Sequence, residues 1–241
     1  MLIEETDSIK DNNIVLKKLD SLNKLTHLNQ KNKTEILVRL ALVNIKLQKF
    51  DEASACAFQG IEIAQKNNFD TAHATCYKII GAINYYSSKY PEAIKYFIRS
   101  AAIAKEKNIL FLEVNNYQNM GGVFIDMKLN DSAVVYLKKS LELSTSCGAK
   151  CNMVKLTATR LLATLYERQK KYNLAQQLFE SGEIEARKVA DPTLICSYLI
   201  FSAELLDKTG DILRAISKAE EAIKIMRIHK DRNQHSFRFA L

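Results

Sequence analysis

The cysteine and histidine side chains are the first residues in this sequence to test for chemistry. Five cysteines are irregularly spaced, and only Cys147 and Cys151 lie close together, in the segment "CGAKC". A C-x3-C pair can bind a metal or exchange a disulfide, but without a histidine nearby it is a weak signal for either. An odd number of irregularly spaced cysteines in a chain of this length predicts reduced thiols.

The histidines complete no reactive pattern. His73 and Cys76 lie one helical turn apart, but two ligands do not make a metal site. The sequence has no glycine-rich phosphate loop followed by lysine, no H-E-x-x-H and no G-x-S-x-G. We therefore predict that the protein is not an enzyme and that it has no catalytic, cofactor-binding or metal-binding residues.

The composition predicts an all-α protein. The 241 residues are 47% hydrophobic and 26% charged, which is ordinary for a globular chain and too apolar for disorder. Only two prolines and seven glycines are present, so turns are few and elements are long. Alanine, leucine, isoleucine, lysine, glutamate and glutamine dominate, and most of these are strong helix formers.

The acidic N-terminal segment, the length of the most apolar window and the net charge bear on where the protein is located and what it binds. The start "MLIEETDSIK" is acidic where a secretory signal is basic, and the most apolar window, 194–206, is too short to span a bilayer. These features predict a cytoplasmic protein without membrane insertion. The net charge of +8 allows an acidic partner, but the lysines are spread along the whole chain. Nucleic acid is therefore the weaker alternative.

Small residues recur with a period of about forty residues. The segment 49–68, "KFDEASACAFQGIEIAQKNN", resembles 89–108, "KYPEAIKYFIRSAAIAKEKN". Three columns of the repeat hold only glycine, alanine or serine, although these types make up about one residue in five of the chain. The columns are Ala41, Gly81, Gly121, Ala163 and Ala203; Ala53, Ala93, Ala133, Ala175 and Ala215; and Gly60, Ser100, Ser140, Gly182 and Ala222.

These columns predict pairs of antiparallel helices. Two helices approach closely only where both carry small side chains, and large residues such as Phe97, Leu137 and Phe179 then fill the remaining space. The pattern predicts five helix pairs, preceded by an amphipathic capping helix near residues 12–29.

The spacing of the small residues, with Tyr77 and Tyr117 four positions before a glycine, resembles the tetratricopeptide repeat. Units of forty residues are similar to those of bacterial Rap-type peptide-receptor regulators and of tetratricopeptide sensor kinases. The resemblance implies a right-handed α-solenoid. The chain departs from the family pattern because it lacks tryptophan and the frequent closing proline, and because its period exceeds 34 residues.

The resemblance also implies a domain organisation. Residues 1–33 are expected to form a capping helix or half repeat, and residues 233–241 a tail or the start of a truncated sixth repeat. Too few residues precede the first unit for the effector bundle of Rap-type relatives, so we expect any output activity to lie elsewhere. The five expected units are 34–73, 74–113, 114–155, 156–195 and 196–232.

In the family, one face of each first helix lines a concave surface where peptides bind. Ala82, Gly122 and Thr164 would form a small-residue floor there, and amides and cations around it suit a peptide backbone and a carboxylate. The carboxylate clamp of chaperone-binding relatives does not carry over, because Val38 and Leu42 stand at two of its positions. The candidate peptide-binding residues are Lys78, Tyr85, Asn115, Gln118, Asn119, Arg160 and Arg168.

The sequence thus predicts a protein- or peptide-binding module, the sensory or docking part of a cytoplasmic signalling regulator. A self-assembling scaffold, with homo-oligomers filling the groove, is the alternative from a different class. A nucleic-acid-binding regulator that uses the basic surface is a third. The sequence does not name the partner.

Overall fold

The computed structural model of the chain describes the backbone of residues 2–25 and 28–238 and the side chains of 11–25 and 28–229. Over these residues it contains α-helices and one short 3₁₀ helix, with no strand. The predicted all-α fold of tetratricopeptide-type helix pairs is confirmed. The α-helices are α1 Leu2–Asn23, α2 Gln30–Lys46, α3 Phe50–Lys66, α4 Asp70–Tyr86, α5 Tyr90–Glu106, α6 Leu110–Asp126, α7 Asn130–Cys147, α8 Asn152–Arg168, α9 Tyr172–Val189, α10 Pro192–Thr209 and α11 Ile212–Arg238.

The ends of the chain differ in part from the expectation. Helix α1 ends at Asn23, before the predicted limit near residue 29, and residues 26–27 lie outside the described part. At the other end α11 continues to Arg238. The side chains of the expected tail, 233–241, are outside the described residues.

Residues 1–127 and 128–241 form two compact units, and each is described by itself. In the first unit, consecutive helices pack against each other from α1 to α6. In the second unit, consecutive helices pack in the same way from α7 to α11. Within each unit, helices adjacent in sequence are therefore neighbours in space, as short connections require.

The turns repeat with a period of twenty residues. In the first unit, each of the helices α2 to α5 is followed by a residue in the left-handed region, and the backbone N–H of the next residue donates back to a carbonyl in the last turn of the helix. For example, the N–H of Lys89 donates to the carbonyl of Asn84 at 2.8 Å, as in a Schellman motif. Most of these left-handed residues are not glycine: they are Gln48, Asn68, Ser88, Asn108, Lys128, Lys170 and Ala190, with φ between 55° and 60°.

The turn between α7 and α8 is different. Gly148, with φ +67°, begins the 3₁₀ helix Gly148–Cys151, which contains the two-residue insertion in the repeat. Cys147 and Cys151 form a disulfide across this turn, with their Cα atoms 5.6 Å apart. The prediction of reduced thiols was therefore wrong for this pair, because the tight 3₁₀ turn brings the two side chains together. Cys56, Cys76 and Cys196 are free, as predicted.

The small residues form notches that receive side chains from the neighbouring helix. In the first unit, a Cβ atom at Gly81 would lie 2.7 Å from the Phe97 ring. In the second unit, a Cβ atom at Gly182 would overlap the ring of Tyr198. The hydroxyl of Tyr198, which belongs to α10, donates to the carbonyl of Leu156 on α8 at 2.6 Å. The contact at Gly182 of α9 therefore joins three helices, α8, α9 and α10.

This notch yields a stability prediction. Replacing Gly182 with alanine should lower the free energy of unfolding by about 1–3 kcal/mol, because the fully buried Tyr198 ring cannot move away without losing its hydrogen bond. Gly122 is the matched control, because a Cβ atom there meets nothing within 4 Å. Gly122→Ala should raise the free energy by about 0.5–1 kcal/mol through helix propensity. Urea unfolding measures the free energy of unfolding of both variants. Equal changes in the two variants would contradict the close contact between Gly182 and Tyr198.

Candidate functional site

Helices α4 and α6 are each the first helix of a predicted helix pair. Each carries a stripe of half-buried, mostly polar residues on the side opposite its apolar face. Buried residues such as Ile80 of α4 and Met120 of α6 lie on the other side of each helix. We call the two stripes together the α4–α6 surface. It consists of Thr75, Lys78, Ala82 and Tyr85 on α4, and Asn115, Gln118, Asn119 and Gly122 on α6.

Lys78 lies in the middle of the α4 stripe. Its side chain is half-buried, and within the described part of the chain no carboxylate lies close enough to form an ion pair with it. Burial lowers the pKa of the Lys78 ammonium below its usual value of 10.5. A cation that has lost water without gaining a counter-ion is destabilising, and it favours an incoming anion.

Tyr85 connects the two helices of this surface. Its hydroxyl donates to Oδ2 of Asp126 at 2.6 Å, from the end of α4 to the end of α6. Burial and then the Asp126 carboxylate raise the pKa of Tyr85, so the hydroxyl stays protonated. Tyr85 was predicted as a ligand-binding residue, and in the structure its hydroxyl proton is engaged in the hydrogen bond to Asp126. The aromatic ring still borders the surface.

The amides of α6 keep hydrogen-bonding capacity. The Nδ2 group of Asn119 donates to Oδ1 of Asn115 at 3.1 Å, which orients both side chains along the helix. The Nδ2 group of Asn115 and the Oδ1 atom of Asn119 are then available, and Gln118 is half-buried beside them. Gly122, one turn further on, leaves open space where another residue would place a side chain.

The two predicted arginines belong to the second unit, on α8. The Arg160 guanidinium lies 4.8 Å from the centre of the Phe201 ring and is half-buried without a carboxylate partner in the described residues. Burial lowers the pKa of Arg160, although the Tyr198 hydroxyl opposes this shift. Arg168 is exposed. In contrast, the buried carboxylate of Glu167 is paired with Lys208 of α10.

A cavity of about 570 Å³ adjoins the α4–α6 surface in the first unit, and Thr75 lines both. The cavity is lined by three cations, by the carboxylate of Glu35 and by an apolar wall that includes Val38 and Ile109; the cations are Lys31, Arg39 and Lys107. Lys107 is 3.8 Å from the carboxylate of Asp70, which also lines the cavity. Sequence reasoning placed Val38 and Thr75 on this side but missed the cations. Lys31 and Lys107 lie at helix ends, where periodicity gives no signal, and Arg39 lies inside α2 but outside the positions assigned to the surface.

Cys76, singled out in the sequence, is accounted for by packing. Cys76 is fully buried, and its Sγ atom fills the notch at Gly60. Burial raises the pKa of the Cys76 thiol to about 12, so it offers no thiolate at neutral pH. Over the described residues, no group of three or more His, Cys, Asp or Glu side chains could hold a metal ion. No described helix is both long and apolar enough to cross a membrane.

The comparisons with known proteins agree with this geometry. The tetratricopeptide repeat family matches residues 114–147, a segment that begins where the third predicted unit begins. No curated protein sequence matches the chain significantly. The resemblance to tetratricopeptide proteins is confirmed.

Solved structures show the same fold. BtubC from P. vanneervenii has a TM-score of 0.74 at 14% identity, with 94% of this chain and 92% of that chain covered. The apo form of RapI has a TM-score of 0.61 at 18% identity, with 95% and 93% covered. A signal transduction ATPase with a tetratricopeptide repeat sensor from Pyrococcus horikoshii has a TM-score of 0.71 at 19% identity, and the match spans 88% of this chain but only 32% of that protein. At these identities the likeness establishes the fold alone.

The state of Lys78 leads to a prediction that needs no ligand. Lys78→Met should raise the free energy of unfolding at pH 7 by about 1 kcal/mol, because it removes a half-buried, unpaired charge. The pKa of Lys78 is lower in the folded than in the unfolded chain, so its destabilisation is complete below the folded pKa. The gain should therefore shrink as the pH rises towards 10.5.

Denaturant unfolding between pH 7 and pH 10.5 measures this gain. Lys105→Met is the control, because Lys105 is an exposed lysine on α5. It should change the free energy of unfolding by less than about 0.5 kcal/mol at every pH. A Lys78→Met variant that is less stable than the wild type would show that Lys78 has a stabilising partner.

Proposed function

We propose that the chain is a non-catalytic module that binds a protein or peptide segment bearing a carboxylate along the α4–α6 surface. The observation that carries this proposal is the half-buried Lys78 ammonium, which has no ion-pair partner among the described residues, together with the unused amide groups on α6, a helix that contacts α4. An acidic side chain or a chain terminus would supply the missing charge. The amides would bind the peptide backbone, for which they can both donate and accept.

The shape of the surface fits an extended chain. Ala82 and Gly122 have small side chains or none, so a ligand backbone can approach the helices closely. The cavity beyond Thr75 could receive one side chain of the ligand, because its volume is within the usual range for ligand pockets. Its apolar wall, its three cations and the carboxylates of Glu35 and Asp70 favour a residue with both apolar and polar character.

Arg160 supports the same kind of site in the second unit. Its guanidinium is fixed by the Phe201 ring and not by a carboxylate, which leaves its hydrogen-bond donors for a ligand. We propose that the stripe of α8 around Arg160, Thr164 and Arg168 binds acidic or polar groups. The Oγ1 atom of Thr164 is buried without a hydrogen-bond partner, which favours a polar group nearby.

Structural neighbours make a peptide the preferred ligand. One similar structure is a Rap protein complexed with competence and sporulation factor, with a TM-score of 0.71 at 14% identity. Another is the Rap conjugation gene regulator of the plasmid pLS20 in complex with the Phr* peptide, with a TM-score of 0.69 at 13% identity. By analogy of fold, we propose that this chain is the sensory or docking part of a cytoplasmic regulator.

The experiment screens an immobilised library of random decapeptides with free carboxyl termini, followed by calorimetry on the bound sequences. We expect binders that carry at least one carboxylate, and we expect Lys78→Met to weaken their binding at least tenfold, about 1.4 kcal/mol. Lys105→Met has the same charge change on an exposed position of the same unit and should leave binding unchanged.

Three outcomes would overturn the proposal. Equal losses in both variants would mean diffuse electrostatic attraction to the net charge of +8. Binding that is unaffected by Lys78→Met would place the site elsewhere. Gly122→Leu tests the floor separately, because a leucine side chain would fill open space above α6. If this variant keeps its stability and its full affinity, the ligand does not lie on the α4–α6 surface.

A further inference from the structure

The disulfide between Cys147 and Cys151 lies in the irregular turn that joins α7 to α8. The two cysteines are four positions apart in sequence, so the bond closes a very small loop. A cross-link stabilises a protein mainly by restricting its unfolded chain, and a small loop restricts the chain least. The turns from α2 to α6 join packed helices without any disulfide, since the other three cysteines are free. We therefore expect the packing of α7 on α8 to persist when the bond opens.

The conformation of this turn requires glycine. Gly148 has φ +67° and ψ −155°, a combination that is essentially restricted to glycine. A Cβ atom at Gly148 would meet nothing within 4 Å, so the backbone itself, and not a neighbouring side chain, sets this requirement. In contrast, the left-handed turn residues Ser88 and Lys128 have φ of 58° and 60° and are not glycines. The close approach of the two cysteines therefore depends on a residue that the regular turns do not need.

The two cysteines differ in their access to solvent. Cys147 is partly exposed at the end of α7, whereas Cys151 is 0% exposed. The three residues between them, Gly148, Ala149 and Lys150, are all exposed, so a small molecule can approach the turn. A thiol opens a disulfide when its thiolate attacks one of the two sulfur atoms, and it must be able to reach that atom. Access therefore favours attack at Cys147.

The helix ends favour the departure of Cys151. This residue directly precedes α8, whose first backbone N–H groups have no carbonyl partner within the helix. A thiolate at this position is stabilised by those N–H groups and by the positive end of the helix dipole, which replace water around a buried sulfur. Cys147 is the last residue of α7, where the dipole is negative and disfavours a thiolate. Cys151 is therefore the better leaving group of the pair.

We propose that Cys147 and Cys151 form a reversible redox site that exchanges with a low-molecular-weight thiol. The thiolate of that molecule bonds to Sγ of Cys147 while the bond to Sγ of Cys151 breaks, and the electron pair leaves on Cys151, which takes up a proton. A second thiolate attacks the small-molecule sulfur of this mixed disulfide and releases Cys147. In total, two thiols are oxidised to one disulfide, and the protein disulfide is reduced to two thiols.

The site is independent of the peptide-binding function, because neither cysteine lies on a surface assigned to the peptide. Reversible exchange also agrees with the cytoplasmic location proposed above, where disulfides are usually transient or redox-sensing. The measurements below involve no peptide, so the two proposals succeed or fail separately.

The test equilibrates the folded full chain with mixtures of reduced and oxidised glutathione, followed by acid quenching, alkylation and mass spectrometry of the peptides. We expect a reversible transition between the disulfide and the two thiols at the ratios that glutathione buffers cover, with an unchanged helical circular dichroism signal. A disulfide that opens only after urea has unfolded the chain would overturn the proposal, since it would then be a structural cross-link.

Two serine variants test the order of attack. Cys151→Ser should accumulate a mixed disulfide of glutathione at Cys147, because the partly exposed thiol has no partner to displace the glutathione. Cys147→Ser should leave the buried Cys151 thiol unmodified under the same conditions. Equal modification of the two variants would overturn Cys147 as the attacked sulfur.

A glycine variant tests the dependence on the turn. Gly148→Ala should shift the equilibrium towards the thiols by about tenfold, because alanine disfavours the closed conformation and reduction releases it. Gly210→Ala is the matched control, since Gly210 also has a positive φ, +90°, and open space around it in the same unit. It should leave the equilibrium unchanged. A shift of the same size in both variants would overturn the proposed role of the turn.

Discussion

Close approach of helices at small residues is the constraint on which the rest of this structure depends. At Gly182 the notch is so tight that a single added carbon would overlap the Tyr198 ring, and that ring supplies the hydrogen bond to α8. A related contact in the first unit is polar. Ser100 of α5 donates to the carbonyl of Ala74 on α4, and Asn116 of α6 donates to Ser100. Three helices therefore meet at one buried hydroxyl, where a larger side chain would separate them.

This packing leaves one side of α4 outside the apolar core. The apolar core uses the face of α4 that carries Cys76 and Ile80, while Lys78 lies on the other side. A half-buried, unpaired cation is destabilising, and it persists because the small-residue contacts supply enough stability elsewhere. Tyr85 shows the intermediate case, since its bond to Asp126 joins α4 to α6 at the border of the same surface.

Departures from the repeat are informative because the repeat is so regular. In the α7–α8 turn, two extra residues fold into a 3₁₀ helix closed by the Cys147–Cys151 disulfide. On α11, a large residue, Met226, stands where Ala64 and Ala104 are small and buried. Solenoids tolerate such local changes because each repeat contacts only adjacent elements.

The sequence by itself determined the helix pairs, since periodicity and small-residue columns report contacts between elements adjacent in the chain. It also placed Lys78, Asn115 and Gln118 away from the core, because the side of a helix follows from 3.6 residues per turn. Tertiary structure alone decided the bond from Tyr85 to Asp126, the cations around the cavity, the stacking of Arg160 on Phe201 and the disulfide. The left-handed turn residues such as Ser88 and Lys128 also left no sign in the sequence, because they are not glycines. Each of these features depends on distances between side chains or on the closure of a turn, and the spacing of residue types along a chain does not encode either.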